Sequence, residues 1–129
     1  MPAQRRATGA DLRDVQAFLH EWARVVDATT EINRVDALNE MLARFTVSPS
    51  ITNHDGSGWH LHYRDPHAGF AATLAGATSA AAAQYLTERG MHRIHRCAAE
   101  DCAHAFVDFS RPGTQRYCTY HCANRDAVR

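Results

Sequence analysis

Apolar residues recur at helical spacing through the first third of the chain. Leu12, Val15, Leu19, Trp22 and Val26 fall three and four apart, which predicts an amphipathic helix to about Ala28. Thr8-Gly-Ala-Asp11 precedes this stripe as a capping box, with Asp in place of the usual Glu or Gln. Thr29-Thr30 offers a new cap, and Ile32, Val35, Leu38, Leu42 and Phe45 form a second stripe. The pattern predicts an αα-hairpin, or one long helix broken near Asp27.

The period then shortens to two. Val47 and Ile51 flank Pro49 as an edge strand, and Asn53-His-Asp-Gly-Ser-Gly58 is a turn cluster. Trp59, Leu61 and Tyr63 alternate with His60, His62 and Arg64. A strand with this pattern buries the first set and turns the second to solvent. Asp65-Pro66 reads as a helix start, with Phe70, Leu74, Ala77, Ala81 and Tyr85 as the buried face. Its small-residue run, Ala71 to Ala83, allows close approach of another element, either within the chain or across a homodimer seam. Gly90 is a natural helix stop, and Ile94 anchors the segment leading to the first cysteine.

The candidate chemistry lies in the last third. All four cysteines are there, as two close pairs, Cys97/Cys102 and Cys118/Cys122, separated by fifteen residues. Two short-spaced pairs bridged by a hairpin-sized loop bring four thiolates to one tetrahedral Zn²⁺. His104-Ala-Phe-Val-Asp-Phe109 alternates, Ser110-Arg-Pro-Gly113 is a turn, and Thr114-Gln-Arg-Tyr117 returns, so a β-hairpin from 103 to 117 is expected. Cys118 and Cys122, four apart, share one face of a short helix. The expected arrangement is treble-clef-like. Four protein ligands fill the coordination sphere, so the zinc is structural, and His95, His104 and His121 are not needed as ligands. Paired disulfides are the rival reading. No apolar export leader precedes the cysteines, which favours reduced thiols.

Arg93-Ile-His-Arg-Cys-Ala-Ala-Glu-Asp-Cys102, Phe106-Val-Asp108, Ser110-Arg111, Arg116-Tyr-Cys118 and Cys122-Ala-Asn-Arg125 together resemble the CGNR zinc finger, with Ala123 where the family name has Gly. In that family the finger follows a helical domain called ABATE, and the proteins are described as stress-induced transcription regulators of bacteria. The upstream resemblance rests on Gly58-Trp59 and the long helix before the finger. The resemblance implies a regulator whose finger touches DNA and whose N-terminal domain senses a small-molecule effector. The arginines that cluster around the short helix, Arg111, Arg116, Arg125 and Arg129, are the candidate phosphate contacts.

Charge tempers this picture. The formal net charge is zero, and every basic residue is Arg. Residues 90–129 hold six Arg against four acids, a surplus that a zinc tetrathiolate cancels. DNA contact must therefore come from arginines gathered on one face, not from bulk charge. Arg125 is equally suited to an internal pair with Asp108 or Glu100.

The sequence thus predicts an α+β protein: an ABATE-like helical and β-hairpin domain over 1–89, then a four-cysteine zinc module over 90–129 carrying one structural Zn²⁺. No serine-nucleophile motif, Gly-rich phosphate loop or membrane-length apolar run is present, so a cytoplasmic, non-enzymatic protein is expected, and DNA binding is what the resemblance implies for it. Two alternatives stand beside it. One is a zinc module for structure or protein interaction. The other is a metal-dependent binder or enzyme built on His54, His60 and His62, although His60 and His62 are expected to form a solvent face.

Overall fold

The computed structural model describes residues 6–128 of the 129-residue chain. Its order is α1 (Gly9–Val26), α2 (Glu31–Phe45), β1 (Ser50–Thr52), β2 (His60–His62), α3 (Phe70–Arg89), β3 (Ile94–Arg96), β4 (Ala105–Val107) and α4 (Tyr120–Ala127). The strands form two separate antiparallel hairpins, β1–β2 and β3–β4. This is the α+β arrangement that the sequence predicts.

The capping box at Thr8 forms: its hydroxyl accepts from the Asp11 N–H, while the Asp11 carboxylate accepts from the Thr8 N–H at 2.8 Å. Thr30 caps α2 in the same way, accepting from the Asn33 N–H at 3.1 Å. The short 27–30 link makes α1 and α2 antiparallel neighbours. Arg24 pairs with Glu40 at 2.7 Å, and Glu21 with Arg44, in the reversed order that antiparallel helices require. These pairs are exposed and contribute little stability.

The core combines Phe18, Val25 and Val26 of α1, Ala37, Leu38 and Met41 of α2, Ala75 and Leu86 of α3, and Ile94 of β3. The expected stripes are met only in part: Val26 and Leu38 are buried and Trp22, Phe45 and Tyr85 pack against the core, but other members of each stripe are exposed. Leu12 and Leu19 are exposed at 59% and 54%, while Phe18 and Val25 are buried. On α2, Ile32 is 73% exposed, and Ala37 and Met41 take the inner positions. On α3, Phe70, Leu74, Ala77 and Ala81 face outward, and Ala75, Gly76, Ser79 and Leu86 face inward. Apolar residues on these helices span more than one stripe. The packing partner, not local periodicity, selects which stripe is buried. On α3 close approach wins: a Cβ at Gly76 would lie 2.4 Å from the Phe45 carbonyl oxygen. The small-residue face is thus used within the chain, against the end of α2.

Helix α3 begins at Phe70, not at Asp65-Pro66. Residues 65–68 form a turn in which Asp65 accepts from the backbone of both His67 and Ala68. The side-chain acceptor at Asp65 offers the backbone an alternative to helix here.

The β1–β2 hairpin also departs from expectation. Its register pairs Ser50 with His62, Ile51 with Leu61 and Thr52 with His60. Directly opposite residues share a face, so one face carries Ser50, Thr52, His60 and His62, and the other carries Ile51 and Leu61. The apolar set is the exposed one, with Trp59 77% exposed, Leu61 55% and Tyr63 41%. His60 and His62 are half-buried. No helix covers the apolar face among the described residues, so alternation had no core to point toward.

Arg34 is the buried residue that periodicity hides. Only 7% exposed, it donates from Nε to the Val25 carbonyl, from Nη2 to Val26 and Ala28, and from Nη1 to Met91 at 2.7 Å. It satisfies the carbonyls left open at the end of α1 and ties them to the start of the β3 segment.

Gly76→Ala tests the close approach. Helix propensity alone favours Ala by about 1 kcal/mol. A clash with backbone cannot be relieved by rotating a side chain, and overpacking typically costs about 1–3 kcal/mol. The expected result is a lowered midpoint of thermal or urea unfolding. A raised midpoint would show that α2 and α3 are not held this close.

Candidate metal centre

The four sulfurs meet where three local structures converge. Cys97 follows β3, and its N–H donates to the His104 carbonyl at 2.9 Å. The next residues fold into a knuckle, with Cys102 N–H donating to the Ala99 carbonyl at 3.1 Å. The second pair arrives through the 108–117 loop, where Ala98 N–H donates to the Arg116 carbonyl at 2.8 Å. Cys118 precedes α4 and Cys122 lies within it. Thr119 caps that helix, accepting from the Cys122 N–H at 3.2 Å.

One correction concerns the strand pairing. The expected hairpin within 103–117 does not form. β4 pairs backward with β3, setting Ile94 against Val107 and Arg96 against Ala105. The first knuckle is therefore the turn of a hairpin, and residues 114–117 return as an irregular segment. The Pro112-Gly113 turn does form, with Gly113 at φ +68°.

The sulfur geometry tests the fit to zinc. All four Sγ atoms lie within 4.8 Å of one another. Cys102 to Cys118 is 3.8 Å, and Cys118 to Cys122 is 3.7 Å. Tetrahedral zinc with Zn–S of about 2.3 Å separates its sulfurs by about 3.8 Å. A disulfide needs about 2.05 Å, and all four cysteines are free thiols. The donor set fits one closed, structural Zn²⁺.

The electrostatics fit as well. Burial opposes ionisation of Cys97, but N–H groups of Cys118 and Ala99 directed at its sulfur bring the thiol down to about 7. Burial and the neighbouring sulfurs push Cys118 up to about 12. Four thiolates this close cannot all ionise without a cation, so metal binding displaces protons and weakens as pH falls.

Asp108 organises the loop between the ligand pairs. It is fully buried, yet its carboxylate accepts from the Ser110 N–H at 2.8 Å, the Ser110 hydroxyl, and the Gln115 N–H at 3.0 Å. Burial works to raise its pKa, but these donors outweigh it and hold the carboxyl below its ordinary range. Arg93, also buried, donates to the carbonyls of Arg89, Asp108, Ser110 and Arg111. Sequence reasoning missed both roles. The Asp-x-Ser spacing at 108–110, a side-chain-closed turn, is the signal that could have found the first.

The arginines divide. Arg111 and Arg116 are exposed, and the Arg116 guanidinium lies 5.6 Å from the centre of the Tyr117 ring. Arg125 turns inward: it pairs with Asp101 at 2.8 Å, not with Asp108 or Glu100, and donates to Cys122 Sγ at 3.5 Å. Arg129 lies outside the described residues. His54, His60 and His62 belong to the β1–β2 hairpin and take no part in this centre.

Hairpin, knuckle, capped helix and four converging thiols define a treble-clef-like zinc module carried on a helical body. Residues 93–129 match the family model described as CGNR zinc finger. The match covers the C-terminal module alone, which is similar to that family. No curated protein matches the chain.

Chelation in reducing buffer should dismantle the module selectively. The amide resonances of 97–122 are expected to lose dispersion, while those of α1–α3 keep theirs, because metal binding energy is folding energy in so small a unit. Cys118→Ser should reproduce the effect without chelator. Retention of the ordered finger spectrum in metal-free protein would contradict a structural zinc.

Proposed function

We propose that this protein is a cytoplasmic, non-catalytic DNA-binding regulator that contacts the phosphate backbone through its zinc finger. The observation that carries the reading is the exposed surface beside α4. Arg111 and Arg116 lie in the loop that zinc and Asp108 hold rigid. Ser110, Gln115, Arg116, Thr119 and Tyr120 line an open cleft of about 500 Å³ there. Tyr120, at the first turn of α4, is 86% exposed. Guanidinium groups beside an exposed aromatic and a helix N-terminus suit a phosphate–sugar backbone. No helix among the described residues is long and apolar enough to cross a membrane.

An apolar cleft of about 420 Å³ supports an effector-sensing role. It is lined by Trp22 of α1, Ala82 and Tyr85 of α3, and Phe106 and Phe109 of the finger. A small apolar molecule seated there touches both the helical body and the DNA-facing module, and so can couple the two.

The inward turn of Arg125 favours a second reading, a finger for structure or protein interaction. It removes one cation from the phosphate footprint and uses it to neutralise a thiolate and Asp101.

Salt dependence separates the readings. Two exposed arginines, with Arg129 as a third, give a slope of log K against log salt of about −2 to −3 on duplex DNA, and a dimer doubles it. Replacing Arg111 and Arg116 together by Gln should flatten the slope by about two units per chain while zinc stays bound. Arg125→Gln should instead loosen zinc retention and leave the slope unchanged. A zinc-loaded protein that shows no salt-sensitive binding at low ionic strength would replace the regulator reading with the interaction module.

A further inference from the structure

Three imidazoles meet on the polar face of the β1–β2 hairpin, apart from the cysteine centre. His60 and His62 are two apart on β2 and project from one face. Their cross-strand partners on that face, Thr52 and Ser50, are small and leave room above the strand. His54 folds back from the turn over both. Its ring centre lies 4.9 Å from that of His60 and 5.2 Å from that of His62, with the rings near perpendicular. His60 and His62 are 6.2 Å apart.

These separations are close to those of a three-histidine metal site. With Zn–N of about 2.0–2.1 Å, the ion sits about 3.2 Å from each ring centre, and tetrahedral angles place the centres about 5.2 Å apart. Two of the three separations match. The nitrogens do not converge into a metal-ready group as the sulfurs do, and the third separation, 6.2 Å, must close by about 1 Å on binding.

The hairpin holds the trio in place. Residues on either side of His54 are fixed: Asn53 Oδ1 accepts from the Gly58 N–H at 3.0 Å, and Asp55 Oδ1 accepts from the Ser57 N–H at 3.0 Å and the Ser57 hydroxyl at 2.6 Å. His60 Nδ1 lies 3.1 Å from the Gly58 carbonyl. A proton on Nδ1 satisfies that contact and leaves the Nε2 lone pair for a metal, the tautomer that ligating histidines commonly adopt. The Asp55 carboxylate adds negative charge beside the rings.

We propose that His54, His60 and His62 form a second metal site, for Zn²⁺, with the fourth coordination position open to solvent or to an added ligand. Imidazole-only donors suit zinc, and three of them leave the open position that the cysteine centre lacks.

The test compares the full-length chain with His60→Ala/His62→Ala, both equilibrated with zinc in reducing buffer and desalted. Atomic emission should find one more equivalent of zinc in the parent chain than in the variant. ¹¹³Cd-substituted parent protein, whose reading does not depend on how any variant folds, should show two resonances. One comes from the four-sulfur centre, and a second, more shielded one comes from nitrogen ligands; only the second is lost in the variant. A single four-sulfur resonance with equal zinc in both chains would overturn the proposal. So would an extra equivalent that persists in the variant, since the chain has nine histidines and adventitious binding would survive the substitutions.

Discussion

The buried guanidinium of Arg93 is the joint on which the finger's placement depends. Its planar fork reaches the last turn of α3 through the Arg89 carbonyl and the 108–111 turn through three more carbonyls. One rigid cation thus satisfies acceptors from two elements that share no sheet. The Tyr85 hydroxyl donates to the Asp108 carbonyl at 2.7 Å and reinforces the same joint from α3. A lysine ammonium, a point donor on a flexible stem, cannot span this set. Gly113 is part of the arrangement, since a Cβ there would lie 2.9 Å from Arg93 Nη2. Arg34 repeats the device at the end of α1. Burial lowers its pKa, with Asp27 opposing the shift. Carbonyl oxygens around each fork replace the water that burial removes.

The zinc centre then rests on a scaffold that is polar within. Asp108 closes the loop between the cysteine pairs, and Tyr117 carries the order onward by donating to Asp126 of α4 at 2.6 Å. A bidentate pair from Arg96 to Asp27, at 2.8 and 3.0 Å, ties β3 to the end of α1. The thiolate charge is met locally by N–H groups and by Arg125. The outer loop is left to carry Arg111 and Arg116. A neutral finger can still present cations on one side, because its charges are sorted by direction.

The two clusters of metal-ligating side chains have opposite designs. The cysteines are partly buried, converge already, and leave no coordination position free. The histidines lie on the polar face of a hairpin outside the core cluster, two of them half-buried, in an arrangement that an ion would draw together. The first suits permanent structure, the second exchange with solvent and ligands.

Much of this was legible in the amino-acid order, because the signals were local. Thr8 and Thr30 announced their helices, Gly90 ended one, and the cysteine spacings specified both the centre and its metal. Local chemistry sufficed there, since a cap or a ligand pair acts within a few residues. Tertiary structure decided which faces were buried. α3 is rich in Ala, so its periodicity carried no phase, and contact at Gly76 with the Phe45 carbonyl chose its inner side. On β2 the alternation is real but its direction is reversed, because which face is inside depends on what packs there, and nothing covers Leu61 or Trp59 among the described residues. Strand β4 found its partner in β3, before the knuckle, although a turn at Pro112-Gly113 was equally visible. Arg34 and Arg93 carried the same weight as any surface arginine in the sequence, and for Arg125 an internal pair and a phosphate contact were equally open. Only folding, which gathers carbonyls, a carboxylate and a thiolate from distant segments, gave those three cations partners inside.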